Sequence, residues 1–258
     1  MVLSVVTLAF NAAPYIDATL DSVAALRTPH EHIVIDGGSR DGTADLLASR
    51  DDAALTWVSE PDRGQTHAVN KGLERVTGDL CAWLNADDAY NPEAVDRAVD
   101  LLARRPDVDV LYGGIQFTDE RLEVRRTYIP AEPSFGRYLF FGDYIPTPTF
   151  IFRRALLADA GLLDERWVDA ADYDFYLRLM HRRRVHRFPE PLVRFRFHPG
   201  SKTARDALKA QDEAMQIRLL WARNARDRAI MRGFDSLKRA VLPRISGWPE
   251  PYDRLRSD

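Results

Sequence analysis

Four runs of strand-forming residues, Leu3–Phe10, His32–Ile35, Leu55–Val58 and Leu80–Leu84, alternate with segments of helical spacing in the first part of the chain. This alternation limits the possible folds more than any other feature. Leu3-Ser-Val-Val-Thr-Leu-Ala-Phe10 is apolar nearly throughout, as a parallel strand covered on both faces requires. Helical spacing follows in Tyr15–Leu26 (Ile16, Leu20, Val23), Thr43–Ser49, Thr66–Arg75 and Pro92–Ala103. Pro92 suits a first helical turn, where a missing N–H does no harm. Val108–Gly113 reads as a further strand. The pattern predicts an α/β fold, with a Rossmann-like, mostly parallel central sheet and helices on both faces. Ligands of such sheets bind beyond the carboxyl ends of the strands. Asn11, Asp36, Asp62 and the turn Asn85–Asp88 all fall at or after predicted strand ends, so the topology brings their polar groups to one edge.

The pattern changes near Gly114. Ile115–Phe117 and Val124–Tyr128 suggest a hairpin, and Pro130–Pro148 is rich in aromatic residues and proline. Helices are expected over Arg153–Ala160 and Tyr173–Arg182, a strand over Val193–Phe197, and a long helix or helix pair over Ala204–Arg232. The residues from Pro243 onward read as a loose tail. A net charge of −3 argues against a nucleic-acid binder with a wholly basic surface. No run is long enough to span a bilayer, and the N-terminus lacks a signal-type segment. A soluble, cytoplasmic protein is expected. The single cysteine, Cys81, lies in an apolar run and reads as a buried, inert thiol.

Trp83-Leu-Asn-Ala-Asp-Asp88 carries the strongest chemical signal. Two adjacent carboxylates at the end of a buried strand are costly to desolvate without compensation. A hard divalent cation such as Mg²⁺ supplies that compensation, commonly bridging carboxylates to a substrate diphosphate. The alternative is an Asp-rich turn before the helix at Pro92. In Asp36-Gly-Gly-Ser-Arg-Asp-Gly-Thr43, the glycines admit a ligand close to the backbone and Asp36 can accept from a base N–H, while Asp41 and Thr43 read as structural. In Glu60–Gly72, Asp62 and Lys71 are candidates for a nucleotide base and phosphate, or are plain surface charges. Asn70, Lys71 and Gly72 are more suggestive together than singly. Asp169, Asp172 and Asp174 exceed what one helix cap requires, and one of them can act as a general base. The basic turn Arg194–Lys202 holds His198, a metal ligand or phosphate donor, or neither.

The runs DGGSRDGT, EPDRGQTHAVNKG, LNADD, AADYDFYLRL and RFRFHPGSKT occur in an order that resembles family 2 glycosyltransferases of the GT-A fold, over roughly residues 2–203. The resemblance implies transfer of a sugar from a nucleoside diphosphate (UDP, dTDP or GDP type) to an acceptor hydroxyl, with inversion and with Mg²⁺ or Mn²⁺. It implies a setting in cell-surface polysaccharide or glycolipid assembly. Asp36 and Asp62 match base contacts, Asp87 and Asp88 the acidic pair that holds ribose and metal, His198 a metal or diphosphate contact, and Asp172 the catalytic base. Phe10, Asn11, Gly37, Lys71, Asn85 and Ala86 join the nucleotide-sugar contacts. Two departures stand out: Asn85 lies where many members have Asp, and Ala171 precedes Asp172 where Glu is frequent. The implied organisation is a GT-A domain at 1–203, with a nucleotide-binding half at 1–113 and an acceptor-binding half at 114–203. A C-terminal helical extension and tail follow at 204–258.

Two other readings compete. A sugar nucleotidyltransferase is also α/β and uses a divalent ion, but many carry a glycine-rich loop and a basic side chain after the first strand. Here that place holds Ala9-Phe-Asn-Ala-Ala-Pro14. A non-catalytic nucleotide-sugar-binding subunit would lose the carboxylates that this chain keeps. Phe135, Tyr138, Phe140, Phe141 and Tyr144 suit stacking on a sugar or lipid-linked acceptor, and equally suit a core or dimer contact. The tail from Trp221 to Trp248 is basic (Arg223, Arg226, Arg228, Arg232, Lys238, Arg239, Arg244), either as a solvated helix face or as a peripheral contact with anionic lipid.

Overall fold

The computed structural model describes residues 1–142, 145–198, 200 and 207–241. Among the described residues, nine strands form one sheet in the order β3-β2-β1-β4-β8-β6-β9-β5, with β7 paired to β6. The first four neighbours are β3 (Leu55–Ser59), β2 (His30–Asp36), β1 (Leu3–Ala9) and β4 (Leu80–Asn85), parallel throughout. Beyond β4 the sheet is mixed. β8 (Phe150–Arg153) runs antiparallel to both β4 and β6 (Val110–Thr118), and β9 (Val185–Arg196) runs parallel to β6.

Alternation along β4 shows why both faces must be covered. Leu80, Ala82 and Leu84 join one apolar cluster with Leu3, Val5 and residues of α4 (Pro92–Arg104). Cys81 and Trp83 join the opposite cluster with Val6, residues of α3 (Gln65–Leu73) and residues of α7 (Ala171–Met180). This is the period of two that a pleated strand imposes. Helix α4 buries Ala94, Val95, Ala98, Val99 and Leu102, one stripe at helical spacing, and starts at Pro92 as expected. α1 (Ile16–Ala24) and α2 (Thr43–Ala48) cover the sheet with Ile16, Leu20 and Leu47.

The expected helix at Arg153–Ala160 is corrected: Phe150–Arg153 is a strand, a 3-10 turn spans Arg154–Leu156, and only Leu157–Ala160 (α6) is helical. The expected break at Gly114 is also corrected, because β6 runs through it. A Cβ on Gly113 would lie 2.5 Å from Leu192 Cγ, and one on Gly114 2.2 Å from Ile129 Cδ1, so the glycines allow close approach where the β6–β9 register slips. The hairpin of β6 with β7 (Val124–Tyr128) forms as expected. Tyr138 is fully buried, and Phe135 packs against His181 and Trp221, so in α5 (Phe135–Phe141) these rings serve the core. Tyr144 lies outside the described residues. The C-terminal extension is a helix pair, α8 (Ala207–Trp221) and α9 (Ala225–Val241), joined by a buried Arg218–Asp235 ion pair at 3.0 Å. Among the described residues, no helix is long and apolar enough to cross a membrane. Cys81 is buried, and burial pushes its thiol up to about 12.

Candidate active site

The short strand β5 (Ala89–Tyr90) builds the centre of the site. It pairs antiparallel with β9, Ala89 opposite Arg194, which sets the acidic turn of residues 85–88 against the end of β9. His198 Nε2 and Asp87 Oδ2 are hydrogen-bonded there at 2.9 Å, and both side chains keep some exposure (11 % and 29 %). Asp88 points elsewhere. It is wholly buried, with Oδ1 accepting from the Arg196 backbone N–H (3.0 Å) and Oδ2 from Asn85 Nδ2 (3.2 Å). Burial, and then the charge of Asp87, push its carboxyl well above the usual range, against these hydrogen bonds. The sequence expectation made both Asp87 and Asp88 metal ligands, with Asp87 also a nucleotide-sugar contact. The structure brings Asp87 to His198 and keeps Asp88 beneath as a brace, because successive residues of the turn face opposite ways.

Arg196, not singled out from the sequence, organises this turn. Its Nε donates to Asp87 O (2.8 Å), its Nη1 donates to Glu120 O (2.7 Å), and its guanidinium lies 4.9 Å from the ring centre of Tyr15. The Tyr15 ring is also 4.4 Å from that of His198. Burial lowers the Arg196 pKa, opposed by Asp87 and Asp88. The signal was present in the strand's period of two: Arg194, Arg196 and His198 alternate with Phe195 and Phe197. Asn85 is half-buried and Ala86 buried; the Ala86 N–H donates to Leu8 O, fixing the turn to β1.

A second group lies at the ends of β1, β2 and β3. Phe10 is 68 % exposed at the end of β1. Asn11 takes a left-handed backbone (φ 50°), its N–H donates to Ser39 Oγ, and its Oδ1 accepts from the Arg40 N–H. Asp36 is wholly buried; Ser39 N–H and Ser59 Oγ donate to its Oδ2, and Ser39 Oγ to its Oδ1. Its carboxylate therefore holds the loop together. Gly37 leaves room for Asp62: a Cβ there would stand 2.6 Å from Asp62 Oδ2 and 3.3 Å from the Phe10 ring. Asp62 Oδ1 accepts from the Gly64 N–H at 2.7 Å. Lys71 folds back on this loop, 2.8 Å from Glu60, and its side chain is mostly buried. Asn70 is structural, exchanging two hydrogen bonds with the Leu163 backbone, and Gly72 packs on Val6 where a Cβ would meet Cγ1 at 2.2 Å. Asp41 braces Thr43 and the Ala13 N–H, as expected of a structural residue.

Asp172 occupies the first turn of α7, half-buried. Its Oδ2 accepts from Thr147 Oγ1 (2.6 Å) and its Oδ1 from the Tyr173 N–H (2.8 Å). One turn on, Tyr176 donates to Thr147 O and lies 6.0 Å, ring to ring, from Trp83 of β4. This contact links the Asp172 helix to the strand that ends in the acidic turn. Asp174 pairs instead with Arg178 (2.9 Å), one helical turn away.

A family model described as "Glycosyl transferase family 2" matches residues 4–161. An uncharacterized glycosyltransferase of Mycobacterium tuberculosis (strain ATCC 25618 / H37Rv) is 35 % identical over 179 residues, covering 68 % of this chain and 67 % of that protein. Among solved structures, S. aureus TarS 1-349 in complex with UDP-GlcNAc superposes with a TM-score of 0.70 at 20 % identity, over 91 % of this chain and 71 % of that one. The mannosyltransferase PcManGT from Pyrobaculum calidifontis, in complex with GDP-Man and Mn²⁺, superposes with a TM-score of 0.66 at 20 % identity, over 96 % and 76 %. The fold is that of the GT-A glycosyltransferases, and the chain belongs to glycosyl transferase family 2.

Proposed function

We propose that this glycosyltransferase moves a sugar from a nucleoside diphosphate to an acceptor hydroxyl in one inverting displacement that depends on Mg²⁺ or Mn²⁺. The Asp87–His198 pair carries this reading. A carboxylate oxygen and an imidazole nitrogen stand side by side, partly exposed, at the end of a parallel strand. This donor set fits a divalent cation. Among the described residues no cluster of three His, Cys, Asp or Glu side chains forms, so donor phosphate oxygens and water would complete the coordination. A bound cation supplies electrostatic stabilisation of the diphosphate as it departs.

The remaining steps fall to the chain itself. Phe10 offers an exposed ring to a nucleobase beside Asp62, whose carboxylate accepts from the base N–H; Asp36, Asn11 and Gly37 shape that loop from behind. Asn85 and Ala86 fix the turn, Asp88 and Arg196 hold Asp87 in place, and Lys71 secures the Asp62 loop. Asp172 takes the acceptor proton as the hydroxyl attacks, with Thr147 fixing its other oxygen. Donor recognition then falls mainly to residues 1–113 and acceptor recognition to 114–203, with Arg196 and His198 reaching across. UDP or GDP donors are supported by the two solved neighbours, which were captured in complex with UDP-GlcNAc and GDP-Man. A sugar or lipid-linked acceptor at the cytoplasmic membrane face is the second part of the proposal. Exposed Ile230 and Leu237 with exposed Arg226, Arg228 and Arg232 on α9 favour it. Flotation with anionic liposomes tests that contact, and protein that stays in the soluble fraction counts against it. The reaction is tested by incubating the protein with UDP- and GDP-sugars and Mn²⁺. Released nucleoside diphosphate supports it, and released pyrophosphate would indicate a nucleotidyltransferase.

A further inference from the structure

The helix that carries Asp172 has no side-chain cap of its own. Its N-cap residue is Ala170, whose own side chain has no hydrogen-bonding group to offer that end. The first N–H groups of a helix have no intrahelical partner and need one from elsewhere. Here a remote carboxylate takes the N–H of the N-cap residue and those of the two residues leading into it. Glu213, from the first helix of the C-terminal pair, accepts from the backbone N–H groups of Val168 (3.0 Å), Asp169 (2.7 Å) and Ala170 (2.9 Å), all on Oε2, and Val168 also reaches Oε1 at 3.2 Å. An anion at this place is also favoured by the helix dipole. Asp172 follows Ala170 by two residues, so the carboxylate that holds the backbone there sets where Asp172 begins its turn.

The segment leading into α7 is fixed on its other side as well. Asn70 holds Leu163 through two hydrogen bonds of 2.9 Å, Thr66 Oγ1 donates to Trp167 O, and Arg63 pairs with Glu165 at 2.8 Å. Residues 163–167 thus rest on the nucleotide half and residues 168–170 on the C-terminal extension. The extension is itself anchored, since Arg218, held by Asp235 within the helix pair, donates from Nη1 to Phe140 O (3.4 Å).

We infer that Glu213 is a positioning residue for the catalytic base, capping the Asp172 helix from the C-terminal extension. The extension is then part of the catalytic machinery rather than an appendage. This rests on the reading of Asp172 as the base. Loss of the cap frees the backbone at residues 168–170 and lets Asp172 drift from Thr147, lowering turnover without touching the donor site.

The test uses the full chain and the nucleoside diphosphate sugar that most raises its melting temperature among UDP-, dTDP- and GDP-sugars. Turnover to free nucleoside diphosphate is measured with Mn²⁺ and water as acceptor. Glu213→Ala should lower turnover at saturating donor by roughly ten-fold or more, with donor KM unchanged, a loss of the size that a small misplacement of a catalytic group produces. Amide exchange at residues 168–170 should accelerate. Glu213→Gln keeps an accepting oxygen and should stay within about three-fold of the parent. Glu213→Asp withdraws the carboxylate while keeping its charge, and should fall with Glu213→Ala; it also serves if the alanine variant fails to fold. A folded Glu213→Ala or Glu213→Asp protein with parental turnover overturns the inference while leaving Asp172 in place. So does a glutamine variant as slow as the alanine one. An Asp172→Asn protein with parental turnover removes the base assignment and this inference together.

Discussion

The side chains of Asp87 and His198 meet at 2.9 Å although 111 residues separate them in sequence. The short pairing of β5 with the end of β9 brings them together, and Arg196 holds the main chain of Asp87 in register with it. The two neighbouring carboxylates of the acidic turn consequently have different surroundings, one partly exposed and one buried.

That division is measurable. Asp87→Ala should abolish Mn²⁺ binding in the presence of UDP, because it removes the carboxylate proposed as a direct ligand. Asp88→Asn alters only a supporting side chain and should weaken Mn²⁺ by about 10–100-fold, the range found for groups that orient a ligand. Isothermal titration of both variants checks this. Equal losses would mean that Asp88 turns outward when the donor binds.

Asp172→Asn should lower turnover by about 10²–10⁴-fold, the usual contribution of a general base, with the donor dissociation constant unchanged. Single-turnover kinetics at saturating donor read the first quantity and equilibrium titration the second. A variant with normal turnover would transfer the role of base to another group.

Gly37 is predicted to govern donor affinity through Asp62. A Cβ at position 37 would come within 2.6 Å of Asp62 Oδ2, so Gly37→Ala should displace that carboxylate. The loss of one charge-assisted hydrogen bond is worth about 1.5–3 kcal/mol, or roughly ten-fold or more in donor affinity. Gly37→Ala and Asp62→Ala should not add, since both remove the same contact. Additive losses would show that the two act separately.

Buried His32 predicts a pH dependence of stability. It is hydrogen-bonded to Thr7 Oγ1 at 2.8 Å, and burial, with the nearby His30, pushes its pKa down to about 3. The unfolded chain binds a proton near pH 6.5 that the folded protein refuses. Stability should therefore fall as pH drops from about 6.5 toward 3, by up to about 1.4 kcal/mol per pH unit. Urea denaturation of the parent and of His32→Gln between pH 6.5 and 5 reads this effect by difference, because the other titrating groups, Asp88 included, are common to both proteins. His32→Gln should flatten the curve in that window, and an unchanged slope would count against a neutral buried His32.

Much of the fold was legible because buried strands and amphipathic helices impose different periods. β1 to β4, α1 to α4 and the hairpin of β6 with β7 all appear where that periodicity puts them. Phe150–Arg153 was not legible as a strand. Four residues are too few to show a period, and the apolar spacing running on to Ala160 suits a helix. The polar groups at the strand ends were legible as a set, but their individual roles were not. Asp36, Asp88 and Lys71 look like ligand contacts in sequence, yet each is occupied by internal partners: Ser39 and Ser59, Arg196 and Asn85, and Glu60. Exposure and hydrogen-bond saturation follow from tertiary packing, which local spacing does not encode. Glu213 was invisible for the same reason, since its partners lie 43–45 residues earlier and are backbone groups.

The most direct measurement is an anomalous-scattering map from crystals grown with Mn²⁺ and the nucleoside diphosphate of the preferred donor. A single strong peak is expected within coordination distance of both Asp87 and His198, adjoining the diphosphate. A peak bound by neither residue, or diphosphate bound with no metal beside it, would contradict it.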